Sequence, residues 1–156
     1  MPKVNVPVAD VWQGFELDTE LITPTIIRLR LKPAFKKEIV NRMFSKAENL
    51  TPEEMTNQDV LDSFRQAVEY SIDLITDWDL TGIDDKKIPC TKANKKTYLD
   101  PDKGKKGIPL FWEQVKRKEA EDITAEEDDD SGMDKIGWFW VAVFRFCSDM
   151  GNFIKN

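Results

Sequence analysis

The sequence contains no histidine and only two cysteines, Cys90 and Cys147, among its 156 residues. The absence of histidine removes the commonest general base, the Ser-His and Cys-His nucleophile pairs, and every metal site that needs imidazole. Two cysteines are too few for a disulfide framework, and too few for a zinc site without histidine. We therefore expect no catalytic residue, no metal and no cofactor. We expect a protein that is not an enzyme, and a small enzyme of unrecognised type is the alternative that the absence of histidine disfavours.

The sequence also lacks long apolar runs. No uncharged stretch approaches the roughly 20 residues that a membrane-spanning helix needs. The first residues, "MPKVNVPVADVWQGF", lack the apolar centre of a secretory signal. We expect a protein of the reducing cytoplasm with no membrane partner.

Ligand-binding motifs are missing as well. If Gly132 is set as the sixth residue of a calcium loop, the twelfth position falls on Trp138, which cannot coordinate the ion. The Gly-containing stretch "DKGKKG" lacks the spacing of a phosphate-binding loop. Paired acids such as Asp84 and Asp85 lie at predicted turns, where carboxylates commonly serve solvation and capping.

Charge is unevenly distributed along the chain, whose net charge is −6. Residues 86–118 carry eleven Lys or Arg against three acids, and residues 119–134 carry nine acids and no base. Charge blocks of this kind usually stay solvated. We therefore predict one globular domain over residues 1–123 with a Lys-rich loop at 84–107, followed by an acidic linker at 124–134.

Hydrophobic periodicity predicts the elements of that domain. "TIIRLRL", residues 25–31, alternates as a half-buried strand does, and the preceding residues offer a partner strand. Apolar residues at helical spacing predict amphipathic helices over 35–47 and 57–78, with a weaker helical pattern from residue 108. Capping boxes are predicted at Thr51 and again at Thr56. The predicted fold class is mainly α (α+β), with amphipathic helices packed on a small N-terminal antiparallel β-sheet or hairpin.

The C-terminal segment, residues 135–156, is apolar around nearly its whole helical circumference. Such a helix must be buried on all sides. Three alternatives stay open, since it can fold back into the domain core, exchange between subunits or dock on a partner. If it docks on a partner, the partner-binding residues would be the aromatic anchors of the segment. They are Trp138, Phe139, Trp140, Phe144 and Phe146.

The Lys-rich segment 86–118 supports an alternative function, a nucleic-acid-binding accessory protein. Lysines interleaved with an aromatic ring are typical of surfaces that follow a nucleic-acid backbone and stack its bases. The acidic tract that follows would compete with phosphate, which counts against this alternative. The candidate contacts are Lys92, Lys95, Lys96, Tyr98, Lys103, Lys105 and Lys106.

The stretch "YSIDLITDWDLTGIDDKKIPCTKAN", residues 70–94, resembles the tail assembly chaperones of long-tailed bacteriophages. In that family a helix commonly ends in Trp-Asp, an acidic or Gly-containing turn follows, and a Leu/Ile-Pro segment leads into the next helix. The order of strand and helix upstream is similar, so the likeness covers residues 20–99. Here Asp-Lys-Lys replaces the glycine expected within the turn, and Gly82 lies earlier.

The resemblance implies a non-enzymatic protein of the bacterial host cytoplasm. Its partner would be the tail tape-measure protein, a long helical chain kept soluble until the tail tube forms around it. The resemblance leaves self-association into a homo-oligomer open. The matched turn would act as a structural joint, in which a tryptophan closes the end of a helix over the core. Its residues are Trp78, Asp79, Gly82 and Pro89.

Overall fold

The computed structural model describes residues 10–44, 56–116 and 137–154, which form an α+β fold. The strands are β1 (Val11–Asp18), β2 (Ile26–Leu31), β3 (Ile75–Trp78) and β4 (Gln114–Val115). The helices are α1 (Lys36–Ile39), which continues as a π-helical turn (Val40–Phe44), α2 (Asn57–Asp73), α3 (Lys92–Leu99) and α4 (Phe139–Ser148). Short 3₁₀ turns lie at Leu110–Trp112 and Met150–Phe153. Within these residues, no helix has the length and apolar character needed to cross a membrane.

The predicted fold class is wrong in two respects. The fold is α+β and not mainly α, and its sheet is not a small N-terminal one. The four strands form one antiparallel sheet in the order β3-β2-β1-β4, so residues from the middle of the chain supply both edge strands. The predicted strand over 25–31 is confirmed as β2, where Ile27, Leu29 and Leu31 are buried and the residues between them are exposed.

The predicted helix over 57–78 ends early. α2 stops at Asp73, and Ile75–Trp78 forms β3 beside β2, with Leu29 opposite Trp78. The prediction failed because the apolar residues of β3 continue the helical spacing of α2. Ile75 and Trp78 are both buried although they are three residues apart, because the pairing of β3 with β2 shifts in register between Arg30 and Leu31. A spacing of three also suits one face of a helix. The capping box at Thr56 and Asp59 is confirmed, whereas the one predicted at Thr51 lies outside the described residues.

The predicted Lys-rich loop over 84–107 contains a helix, α3. The Thr91 hydroxyl begins it by accepting a hydrogen bond from the Asn94 backbone at 3.2 Å. Its sequence, KANKKTYL, has only Leu99 fully buried, so it shows almost no apolar periodicity. The helical pattern from residue 108 is also wrong where it can be followed. A 3₁₀ turn and the two-residue strand β4 take its place, and residues 117–136 lie outside the described part of the chain.

The C-terminal helix folds back into the core. α4 is shorter than the predicted 135–156 segment, and Phe139, Val143 and Cys147 on it are completely buried. The ring of Phe139 lies 5.3 Å from that of Phe15 in β1 and 5.0 Å from that of Phe111. One cluster of buried side chains therefore runs from β1 to the final 3₁₀ turn. The acidic linker predicted at 124–134 lies outside the described residues.

Candidate functional site

The five aromatic residues predicted to bind a partner have different environments. Phe139 is fully buried and Trp140 nearly so, while Phe144 and Phe146 are half-buried. Trp138 is the most accessible of the five, with 36% of its surface exposed. Most of the predicted set therefore packs in the protein's own core, and only Trp138 offers a large accessible face.

Trp138 belongs to a cluster of three tryptophans. It precedes the first residue of α4 and forms an isolated antiparallel bridge with Gln114, while the Phe139 backbone donates to the Glu113 carbonyl at 2.8 Å. Its ring lies 5.1 Å from that of Trp112 and stacks on that of Trp140 at 6.3 Å. The indole N–H of Trp140 is buried without an acceptor among the described residues.

The tryptophan cluster continues onto α2. The ring of Phe64 meets that of Trp140 edge to face at 6.4 Å, and Val60 and Leu61 lie one helical turn before Phe64. These side chains are unusually exposed for apolar groups, at 42% for Val60, 61% for Leu61 and 46% for Phe64. We name the exposed surface formed by Val60, Leu61, Phe64 and Trp138 the apolar strip.

The sequence only partly indicated this strip. Helical periodicity predicts that Val60 and Phe64 lie on the core-facing side of α2. In the structure, that side of the helix is buried only from Ala67 onward. Leu61 was the one indication in the sequence of an exposed apolar surface, because it lies outside the predicted core-facing side of α2. Nothing in the spacing indicated that the tryptophan cluster would meet α2 through Trp140 and Phe64.

A loop over residues 100–107, which we name the lysine loop, borders the apolar strip. The carboxylate of the buried Asp100 organises it by accepting hydrogen bonds from the backbone N–H groups of Asp102, Lys106 and Gly107 at 2.9 to 3.2 Å. The Asp100 carbonyl accepts a further bond from the indole N–H of Trp112 at 3.0 Å. The loop is thus tied directly to the tryptophan cluster.

Two glycines permit the backbone conformation of this loop. Gly104 has a φ of +87°, a conformation that L-residues with side chains rarely adopt. Gly107 passes so close to the Thr97 carbonyl that a Cβ there would clash with it. Arg65 of α2 holds the loop from the other side through Asp102, at 3.3 Å.

The loop places Lys103 beside the exposed indoles. Its Nζ lies 5.4 Å from the ring centre of Trp112 and 5.8 Å from that of Trp138, within the range of cation–π attraction. Lys105 and Lys106 follow and are also exposed. The ion pairs found among the described residues include none of these three lysines.

The other candidate nucleic-acid contacts do not share these surroundings. Lys95 donates from Nζ to two backbone carbonyls at the junction of α2 and β3, at 3.3 and 2.9 Å. Tyr98 packs its ring edge to face on Trp78 at 6.2 Å. Lys92 and Lys96 line a separate open cavity of about 200 Å³. The seven residues therefore fall into groups with different neighbours, and nucleic-acid binding by them stays a prediction.

The four residues of the predicted joint form a compact turn after β3. Trp78 is fully buried and its indole N–H donates to the Ile88 carbonyl at 2.7 Å, while Asp79 accepts from the Arg28 backbone at 2.9 Å. The Gly82 N–H donates to the Lys86 carbonyl at 2.8 Å, and the Pro89 carbonyl accepts from the Asn94 side chain at 2.8 Å. Trp78 therefore closes the end of a strand, and not the end of a helix as predicted.

Burial and hydrogen bonding shift the pKa values of several described groups. Burial raises the pKa of the Cys147 thiol to about 12, and burial also raises the pKa of Cys90, so both thiols are protonated at neutral pH. The Lys87 ammonium, 2.9 Å from Asp77, lowers the pKa of that carboxyl by hydrogen bonding. In residues 10–44, 56–116 and 137–154, no three acidic or thiol groups converge in a way that could hold a metal ion.

Comparison of the chain with protein-family models, with curated protein sequences and with solved structures finds no match.

Proposed function

We propose that this protein is a tail assembly chaperone of long-tailed bacteriophages. In this role it is a non-enzymatic binding protein of the host cytoplasm that keeps the tape-measure protein soluble during tail assembly. The resemblance of residues 70–94 supports the choice of family and partner. The observation that carries the binding role is the apolar strip.

The strip has the chemistry that docking of a helical chain requires. Large apolar side chains that stay exposed next to one another are typical of protein interaction sites. Val60, Leu61 and Phe64 follow helical spacing on α2, and the Trp138 indole extends the surface across to α4. The apolar face of an amphipathic helix buries its anchors on a surface of this kind. A long tape-measure chain would present such faces repeatedly before the tube encloses it.

The test is co-expression with the product of the next long, helix-rich reading frame of the same gene cluster. We expect that product to be retained on the tagged protein at moderate salt, and we expect Leu61→Ser with Phe64→Ser to reduce its retention about tenfold or more. The matched control is Leu21→Ser with Ile83→Ser. These two exposed apolar residues lie outside the strip. Separate elution of the two wild-type proteins would remove the main support for the proposal.

A second candidate function is nucleic-acid binding, favoured by the exposed Trp138 indole beside Lys103. The two functions differ in their response to salt. Lysine–phosphate contacts release counterions, so their affinity falls steeply as salt rises, whereas apolar docking persists. Repeating the retention experiment at low and moderate salt, with a single-stranded oligonucleotide as competitor, separates them.

A further inference from the structure

We infer that the segment docking on the apolar strip is an amphipathic helix with carboxylates along one flank, and that Lys103, Lys105 and Lys106 pair with those carboxylates. This inference rests on the proposed function, because it specifies the chemistry of the partner at the same surface. Three properties of the lysine loop carry it: a fixed backbone, ammonium groups that have no acidic partner among the described residues, and the contact of Lys103 with Trp138 of the strip.

The backbone that carries the lysines is fixed. Asp100 accepts three backbone hydrogen bonds from within the loop, Gly107 is packed against Thr97, and the Trp112 indole is bonded to the Asp100 carbonyl. A loop that serves only as a solvated connection needs no buried carboxylate at its centre. This one carries three lysines at fixed backbone positions, which favours recognition of charge in a set register.

Within residues 10–44, 56–116 and 137–154, the three lysines form no ion pair. Some surface cations have acids of the same chain beside them, as Arg65 has Asp102 at 3.3 Å and Lys87 has Asp77 at 2.9 Å, whereas others, such as Lys36 and Lys37, have none among the described residues. None of the ion pairs of the described residues includes Lys103, Lys105 or Lys106. A carboxylate is the complement that an unpaired ammonium at the rim of an apolar surface selects.

The neighbouring surface favours a helix over a nucleic acid. The strip consists of the Trp138 indole, which Lys103 contacts, and of aliphatic and aromatic side chains on α2, and these suit the apolar face of a helix. The same end of α2 carries the acids Asp59 and Asp62, with Asp62 exposed. A polyanion that ran from the lysine loop along the strip would meet these carboxylates. A helix that carries acids on only one flank keeps them away from Asp59 and Asp62.

A pair of synthetic peptides tests the inference. Both are tryptophan-free amphipathic helices of about five turns with the same leucine face, and one carries Glu along its flank where the other carries Lys. Binding is followed by the tryptophan fluorescence of the full-length protein. We expect the Glu peptide to bind about tenfold more tightly than the Lys peptide, and we expect Lys105→Glu with Lys106→Glu to reverse that order. Lys36→Glu with Lys37→Glu, the same charge change on the exposed face of α1, should leave it unchanged.

Equal affinities for the two peptides would overturn the inference but leave apolar docking intact, provided that Leu61→Ser weakens both. Tighter binding of an oligothymidylate than of the Glu peptide would overturn it in favour of nucleic acid. Retention of the tape-measure product without binding of either peptide would overturn it while the proposed function stands. The expected peptide preference in a protein that fails to retain that product would support the inference and contradict the proposed function.

Discussion

At the scale of single residues, Trp78 shows how one side chain can satisfy both packing and hydrogen bonding. Its ring is fully buried, it packs edge to face against Tyr98, and its N–H has an acceptor in the Ile88 carbonyl. It therefore connects β3 to the turn and to α3. A buried indole with a satisfied N–H is costly to remove, because both the apolar contact and the hydrogen bond are lost.

We expect Trp78→Ala to lower the free energy of unfolding by about 3–5 kcal/mol, the usual cost of emptying a buried aromatic site. Urea denaturation followed by far-UV circular dichroism measures the change. Trp12→Ala is the matched control, because Trp12 is 41% exposed on the outer face of the sheet. A loss of less than about 1 kcal/mol at Trp78 would contradict its role at the joint.

Alkaline pH should destabilise the fold through two buried groups. Burial raises the pKa of Cys147 from 9.0 to about 12, and burial followed by the Glu38 carboxylate raises that of Tyr70 from 10.0 to about 12. Both groups stay protonated in the folded state, so their stabilising contribution is complete below the unfolded-state pKa and is lost as pH rises towards 12. We expect the free energy of unfolding to fall between pH 9 and 12, and to fall less steeply in Cys147→Ala. Equal slopes would rule out a titrating Cys147.

At the scale of elements, α2 combines two different halves. Its C-terminal half is held by burial of Ala67, Val68 and Ile72, whereas its N-terminal half carries the exposed strip. Short helices without apolar packing are marginal in water. The first turns therefore depend on local capping, which Thr56 and Asp59 provide through reciprocal hydrogen bonds of 3.2 and 2.7 Å.

We expect Thr56→Ala to lower the free energy of unfolding by about 1 kcal/mol, the usual cost of removing an N-cap. The loss should be local, so amide hydrogen exchange should accelerate from Asn57 to Phe64 and not in the buried half of α2. Gln58→Ala in the same exposed turn is the control. Uniform acceleration along the whole helix would show that the cap is not a local determinant.

At the scale of the whole molecule, the core is assembled from both ends of the chain. Phe15 of β1 packs against Phe139 of α4, and the backbone of Val115 in β4 donates to the Gly137 carbonyl. We expect a chain truncated at Asp130 to lose cooperative urea unfolding altogether, because it lacks the core residues Phe139, Val143 and Cys147. A chain that ends at Ile154 is the control. A cooperative transition in the truncated chain would show that α4 is dispensable.

The parts of this architecture that were predictable are those with strong local patterns. The alternation of β2 and the capping box at Thr56 were both identified from sequence. The edge strand β4 has only two residues and α3 buries only Leu99, so neither has a local signal to detect. The site depended on this missing information, because Trp140 meets Phe64, with Trp138 stacked on Trp140, only when α4 has folded back beside β4.

The pairing of Leu17 in β1 with Val115 in β4 has a consequence for the newly made chain. At about 5–20 residues per second, ribosomes deliver β4 about 5–20 s after β1, and α4 later still. Throughout that interval β1 has an unpaired edge, and Phe15 lacks the ring that will cover it. A protein proposed to protect another chain during assembly is therefore exposed to aggregation during its own synthesis. We therefore expect more of the protein to be recovered in soluble form when it is expressed slowly or in a host with abundant chaperones.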